Sequence, residues 1–124
     1  MRPLLLLFGL VIAGGCITPS ISIPPPDPAR MTFVVTTEGA NSSATFAYEP
    51  EINYIDSVVF IYNRDRGVGI IENAHPDGSV GPTAPVAAAL GEQIIVSFQR
   101  DDQTVSTCIR LRNGSQSSTD YCGP

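Results

Sequence analysis

Few residues in this chain are able to do chemistry, because the sequence contains one histidine, three cysteines and no lysine. His75 is the only imidazole, so any Ser–His or Cys–His nucleophilic mechanism would have to use it. It opens "HPDG" (75–78), which has the composition of a tight turn, and no nucleophile in a recognisable setting lies near it in the sequence. We therefore interpret His75 as a solvated turn residue and expect no enzymatic activity.

Two pairs of neighbouring carboxylates are the next candidates. Glu49 and Glu51 flank a proline, and side chains two apart in an extended segment can face one side, as a cation site or half of an acid–base pair requires. Asp101 and Asp102 lie in a predicted hairpin turn, where calcium binding is the alternative to ordinary turn hydrogen bonding. Solvated loops are the favoured interpretation of both pairs, so the sequence predicts neither a metal nor a cofactor.

The stretch "NRDRGVG" (63–69) has a distant likeness to a calcium-binding loop, since Asn63 and Asp65 alternate before a glycine. The later acidic ligands are missing at the required spacing, and Arg64 and Arg66 would repel a cation. The sequence therefore predicts a structural turn here.

Two cysteines remain after the one at position 16, and these are Cys108 and Cys122. An even number of cysteines in an exported domain indicates one disulfide, and their spacing fits neither a CxxC redox motif nor a zinc cluster. Two free thiols are the alternative.

The direction of Cys108 follows from the alternation in "TVSTCIRLR" (104–112). Cys108 shares a face with Arg110 and Arg112, and charges mark the solvent side of a strand. We expect Cys108 to point outward, so that a bond to Cys122 straps the C-terminal tail across the outside of the sheet and shields an edge or outer face.

Apolar residues recur with a period of two from Met31 onward, and helix signals are scarce. Short β-branched and aromatic runs with turn signals about every 8–12 residues are typical of an antiparallel sandwich. The sequence therefore predicts an all-β fold, a single antiparallel immunoglobulin-like β-sandwich of about six to seven strands. The predicted strands are 31–37, 43–49, 54–63, 67–73, 93–99 and 104–112, with a loosely paired edge strand within 79–92.

The predicted strand at 54–63 is apolar on both faces. Val58, Phe60 and Tyr62 lie on one side, and apolar residues lie on the other side as well. This pattern indicates a central strand with some cover over its outer side.

The four tyrosines leave two possibilities open. On a shared exposed face they would be contact anchors for a protein or glycan partner, whereas at the edge of the core they would be structural. The second is favoured. These residues are Tyr48, Tyr54, Tyr62 and Tyr121.

The N-terminus carries one positive charge, Arg2, and then twelve uncharged, mostly apolar residues at 4–15 before Cys16. This run is too short for a membrane-spanning helix and has the length of a signal-peptide core. Its end, "AGGC" (13–16), resembles the lipobox of bacterial lipoproteins, although the commonest lipobox has Leu where this chain has Ala13. An ordinary secretory signal or a chance apolar start is the alternative.

The lipoprotein resemblance implies cleavage before Cys16, alkylation of its thiol with diacylglycerol, and acylation of the new amino terminus. The acyl chains, palmitate among them, would hold the protein on a bilayer. Because residue 17 is Ile rather than Asp, the resemblance implies sorting to the outer membrane in a host with two membranes.

Residues 31–112 resemble bacterial immunoglobulin-like and fibronectin type III-like modules in their order of features. From Val58 to Leu111 these are an apolar strand, a strand with a "DG" turn, a Pro/Ala-rich strand, an alternating strand after "GE", and a hairpin. The tryptophan and the strand-to-strand disulfide of antibody domains are missing, so transthyretin-like and small-barrel topologies stay open.

Three segments follow from these patterns: a signal peptide (1–15), the lipidated Cys16 with a Pro-rich stalk (16–30), and a β-sandwich with a disulfide-tethered tail (31–124). At about 3.1 Å per residue the stalk would hold the domain up to roughly 40 Å from the membrane, unless it is a disordered tether.

Loss of Arg2 with the signal changes the net charge from −5 to −6. An acidic domain without lysine argues against nucleic acid and anionic headgroups as partners. The sequence predicts a non-catalytic envelope lipoprotein that is a structural or protein-interaction module, bound to the bilayer through Cys16 and to an unknown envelope protein. The alternative is an enzyme-accessory lipoprotein, or one that binds a metal ion or glycan through loops at 49–54 or 75–85.

Overall fold

A computed structural model describes residues 22–122. Within this range the chain forms eight strands in two antiparallel sheets, so the prediction of an all-β sandwich is confirmed. The only helical elements described are three 3-10 turns, and none is long or apolar enough to cross a membrane. The strands are β1 (Met31–Glu38), β2 (Asn41–Tyr48), β3 (Val58–Asn63), β4 (Val68–Asn73), β5 (Val86–Ala87), β6 (Gln93–Arg100), β7 (Gln103–Arg110) and β8 (Gly114–Ser115).

Each sheet has four strands. Sheet A has the order β5-β2-β1-β8, and sheet B has the order β4-β3-β6-β7. The chain crosses between the sheets after β2, β4, β5 and β7, as sandwiches with Greek-key connections do. The two-residue strands β5 and β8 bring the count above the six to seven expected.

The structure shortens two of the predicted strands. The strand expected at 54–63 begins only at Val58, because Ile52–Tyr54 forms a 3-10 turn and Asp56 has a φ of 65°, which no extended strand allows. The strand expected within 79–92 pairs with β2 only at Val86–Ala87 and at one bridge between Val80 and Tyr48. Prolines in this segment remove the donors that a longer ladder needs.

The core lies between the inner faces of the two sheets, where alternate residues of each long strand are buried. An aromatic cluster closes one end. The rings of Tyr54 and Phe98 are stacked with centroids 3.9 Å apart, and Tyr48 meets Phe98 edge-on at 5.3 Å. Burial raises the pKa of both tyrosines, so their hydroxyls stay protonated and available as donors. The buried apolar side chains that the two sheets share are Met31, Phe33, Ala44, Phe46, Tyr48, Val59, Ile61, Ile94, Val96, Phe98 and Ile109.

The Pro-rich segment lies against the sandwich from Ile23 onward, which corrects the expectation that all of it stands clear of the domain. Ile23 and Pro26 are buried. The hydroxyl of Thr107 donates to the Pro26 carbonyl at 2.6 Å, and the hydroxyl of Tyr54 donates to the Pro24 carbonyl at 2.7 Å. Prolines lack an N–H but keep a carbonyl, so side-chain donors of the sandwich can hold the segment without a ladder.

The two cysteines that follow Cys16 are bonded to each other. Cys108 and Cys122 have Cα atoms 5.1 Å apart, within the ordinary range for a disulfide. Cys108 lies opposite Ile95 on the outer face of sheet B, as its alternation predicts, yet it is only 2% exposed. Cys16 lies outside the described residues.

The tail before Cys122 follows the sheet edges. It pairs with β1 through β8, and Tyr121 then forms a bridge to Ile109 of β7. The N–H of Cys122 donates to the carbonyl of Cys108 at 2.9 Å. The tail thus joins the edges of both sheets, which agrees with the expected shielding of an edge.

Removal of the disulfide by Cys108→Ala together with Cys122→Ala is expected to lower the free energy of unfolding by about 3 kcal/mol, since the bond closes a short loop in the unfolded chain. The sequence separation of the two cysteines is 14 residues. Urea denaturation of both proteins measures the difference. An unchanged midpoint would show that the tail does not depend on the bond.

Candidate functional site

The carboxylates of Glu49 and Glu51 are both engaged by Arg30. The guanidinium lies 3.1 Å from Glu51 Oε1 and 3.9 Å from Glu49 Oε2, and it also lies 5.8 Å from the centre of the Tyr48 ring. Glu51 in addition caps the turn Ile52–Tyr54 by accepting from the Asn53 N–H. This pair therefore holds the N-terminal segment to the loop after β2.

His75 lies in an exposed turn, as expected. Its ring Nε2 lies 2.9 Å from the carbonyl oxygen of Gly81, and its backbone N–H donates to the carbonyl of Ser79. Hydrogen bonds from Ser79 to the Asp77 carboxylate hold the pKa of that carboxyl below its ordinary value. The contacts of His75 thus serve the shape of the turn.

The two loops considered for a ligand, 49–54 and 75–85, meet in the structure. Gly78 has a φ of 80°, and a Cβ there would come within 1.8 Å of the Glu51 carbonyl oxygen. Only glycine allows this approach of the two backbones. The contact is backbone against backbone. Of the nearby carboxylates, Glu49 and Glu51 are paired with Arg30, and Asp77 accepts from Ser79.

Asp101 and Asp102 form the exposed tip between β6 and β7. Asp101 has a φ of 56°, a left-handed conformation that Asp tolerates in turns. Among residues 22–122 no three His, Cys, Asp or Glu side chains are grouped as a metal ion would require.

The turn at 63–69 is built around a buried amide that the sequence does not reveal. Asn63 is fully buried, and its Nδ2 donates to the Ala87 carbonyl and to Glu92 Oε1, each at 3.0 Å. Its Oδ1 accepts from the N–H groups of Asp65 and Arg66. Asn63 thereby ties the turn of sheet B to β5 of sheet A.

Glu92 completes this network. Its carboxylate accepts from the Ala89 N–H at 2.6 Å and pairs with Arg66 at 2.9 Å. Burial raises the pKa of the Glu92 carboxyl, but the hydrogen bonds from Ala89, Asn63 and Arg66 outweigh it and hold the pKa below its ordinary value. The faint calcium-loop pattern is thus a structural ion pair.

The tyrosines do not form one exposed patch. Tyr48 and Tyr54 are buried in the aromatic cluster, whereas Tyr62 and Tyr121 are 43% and 52% exposed. Tyr62 lies on β3 in the middle of sheet B, and Tyr121 lies at the edge of β7. The favoured structural interpretation therefore holds for two of the four.

Tyr62 belongs to a continuous apolar surface on the outside of sheet B. Opposite it on β6 stands Ile95, and next to it on β3 stands Phe60, which lies opposite Ile71 of β4. Ile71 is 68% exposed. We call this surface the outer apolar face; its members are Val58, Phe60, Tyr62, Ile71 and Ile95.

Gly69 shapes the outer apolar face. It lies opposite Tyr62, and a Cβ on it would come within 3.2 Å of Tyr62 Cδ1 and 2.7 Å of the Ile61 carbonyl oxygen. A side chain at 69 would therefore displace the tyrosine ring. The pairing of a cross-strand aromatic with glycine keeps the surface smooth at this point.

The outside of sheet A has a different character. Its β1 and β2 residues are mostly Thr, Ser and Ala, with Val34 as the exposed exception at 56%. β3 was expected to be a central strand with cover over its outer side. It is central, but residues 22–122 leave Tyr62 and Ile71 exposed.

Comparison with known proteins returned no match, whether to a protein family, to a curated protein or to a solved structure. The functional proposal therefore rests on the fold and on the contacts described above.

Acidification is expected to weaken the Asn63–Glu92 network. Because the pKa of Glu92 is lowered in the folded state, its contribution to stability is complete above the ordinary value of 4.5 and is lost as the pH falls through the folded value. The free energy of unfolding should fall less steeply below pH 4.5 in Glu92→Gln than in the wild type. Asp77 leaves some dependence in both.

The control is Glu38→Gln, at an exposed position next to the β1–β2 turn. Urea denaturation at several pH values gives the free energy of unfolding of each protein, and the slopes of this free energy against pH are compared. Identical slopes for the wild type and Glu92→Gln would contradict a stabilising role for the Glu92 carboxylate.

Proposed function

We propose that this chain is a bacterial envelope lipoprotein, anchored through a diacylated Cys16, whose sandwich is a non-catalytic protein-interaction module. The observation that carries the interaction role is the outer apolar face, a group of five neighbouring apolar side chains on the outside of sheet B. Exposed apolar patches mark interaction sites on small soluble domains. Aromatic anchors such as Tyr62 are typical of their centres.

The docked N-terminal segment supports a short tether. Residues 23–30 are held by the sandwich, so only five residues separate Cys16 from Ser22. A fully extended chain spans at most about 3.6 Å per residue, so the fold would stand within roughly 20 Å of the bilayer. This is half the distance that a free stalk would give.

These contacts also favour the end that carries the β6–β7 tip as the end of the domain nearer the membrane. The N–H of Ile23 donates to Gln103 Oε1 at 2.9 Å, at the start of β7 and beside the tip formed by Asp101 and Asp102. An acidic tip has no attraction for anionic headgroups. Attachment would therefore depend on the acyl chains.

The binding of a metal ion or glycan and an enzyme-accessory role were the alternatives. In residues 22–122 the carboxylates of the two candidate loops are paired with Arg30 or bonded within their own turn, which argues against a metal ion at either loop.

The anchor is tested by the intact mass of the protein extracted from envelope membranes. The expected mass is that of a chain beginning at Cys16 with acyl chains attached, and Cys16→Ser should leave an unacylated chain outside the lipid-bound fraction. The matched control is Cys108→Ala with Cys122→Ala, which should stay acylated. A wild-type mass without lipid would overturn the anchor.

The interaction role is tested by photo-cross-linking, because amine-reactive reagents have no lysine to attack. A benzoylphenylalanine at position 62 should give light-dependent adducts to another envelope protein in at least fivefold higher yield than one at position 34. Val34 is a matched control, since it is an exposed apolar residue on the outside of the opposite sheet. Equal yields at the two positions would exclude the outer apolar face as the contact.

A further inference from the structure

The four strands at the ends of the sheets differ in how well they are protected. In sheet A the outermost strands β5 and β8 have two residues each. In sheet B the edge of β7 is met by the N-terminal segment and by Tyr121. β4 spans six residues, and within residues 22–122 it pairs with no strand other than β3.

The sequence of β4, "VGIIEN", has few of the usual means of keeping an edge from pairing, and the one it has is the inward-pointing charge of Glu72. It contains neither proline nor lysine, and its register with β3 runs through six consecutive pairs without a bulge. Glu72 is its only charge; it lies opposite Val59 on the inner side, and its Oε1 accepts from the Ala84 N–H at 3.4 Å. The outward side chains of β4 are therefore uncharged.

The free hydrogen-bonding groups of β4 belong to the residues that face outward. The N–H of Ala74 donates to the carbonyl of Ser57, and in an antiparallel pair such bonds recur at every second residue. Gly69, Ile71 and Asn73 therefore direct their N–H and C=O groups away from β3. These are also the residues opposite the outward side chains of β3.

This arrangement is self-complementary. A second β4 placed antiparallel, with Ile71 opposite Ile71, puts Gly69 opposite Asn73 and keeps both outer apolar faces on one side. Glu72 then lies opposite Ile70 rather than opposite its own counterpart. A shift by one residue would turn one outer face inward, so the alternation excludes that register.

The charges at the two ends of β4 do not oppose this alignment. In the turn before β4 Arg66 is paired with Glu92, so Arg64 and Asp65 balance each other, whereas Asp77 lies in the loop after it. An antiparallel alignment brings the turn of one copy toward the loop of the other, so ends of like net charge do not meet.

We propose that two copies of this chain pair through β4 about a twofold axis at Ile71, joining two sheets B into one eight-stranded sheet. Such an interface is isologous, with the same surface used by both copies. The outer apolar faces of the two copies become continuous across the axis. This inference goes beyond the proposed function and does not require the anchor.

Disulfide trapping in the full-length chain, produced in bacterial envelopes, tests the pairing. Directly opposite, hydrogen-bonded residues have Cα atoms about 5.5 Å apart, within reach of a disulfide. Ile71→Cys is expected to give a covalent dimer of twice the chain mass on a non-reducing gel. Reduction should return the monomer.

Two cysteine variants are the controls. Asn73→Cys lies on the same strand and face, but the pairing puts it about 14 Å from its counterpart. Val34→Cys is a similarly exposed apolar position on sheet A. Cross-linking of Ile71→Cys should exceed both at least tenfold; equal yields, or an adduct with a different protein, would overturn the pairing of two copies.

A second variant tests the association without cysteines. Ile71→Asp puts two like charges opposite each other at an exposed position. The mass measured by light scattering should therefore fall from that of a dimer to that of a monomer. Retention of the Cys108–Cys122 bond and of the β-type circular dichroism shows that this variant is folded. A monomeric wild type at the same concentration would overturn the proposal. Acylation is read from the intact mass, so failure of the anchor and failure of the pairing are distinguishable.

Discussion

The unpaired backbone at the sheet edges is the constraint on which this small sandwich depends. A strand at an edge leaves a row of N–H and C=O groups without partners. At β7 two segments lie against the edge. The N-terminal segment contacts the side chains of Gln103 and Thr107, and the disulfide-tethered tail pairs with the strand's backbone at Cys108 and Ile109. Proline suits the first role, because its carbonyl accepts from Thr107 or Tyr54 while it offers no N–H for further pairing.

The polar clusters of this sandwich also hold separate segments of the chain together. Arg30 with its two carboxylates holds the N-terminal segment, and the Asn63–Glu92 network joins a turn of sheet B to β5 of sheet A. A buried amide must satisfy its donors and its acceptor, so Asn63 fixes four backbone and side-chain partners at once. The proposed roles use surface instead, namely the outer apolar face and the edge of β4 beside it.

Much of the fold could be predicted from the sequence, because alternation with a period of two is a local property. It located β1, β2, β4, β6 and β7 to within a few residues and put Cys108 on the outer side of its strand. It failed where backbone geometry intervened, as at Asp56, whose positive φ delays the start of β3. The burial of Ile23 and Pro26 was also missed, since a Pro-rich composition indicates an extended segment but not what lies beside it.

The sequence by itself determined the class of the fold and the direction of the side chains along the long strands, and it placed the lone candidate residues in turns or loops. These features depend on near neighbours in the chain. The tertiary structure alone decided which edges are covered, that Arg30 pairs with Glu49 and Glu51, and that Asn63 is buried beside Glu92. It also decided that the outer side of β3 stays exposed at Tyr62. Each of these contacts depends on residues far apart in the chain, and composition and periodicity do not show which distant residues meet.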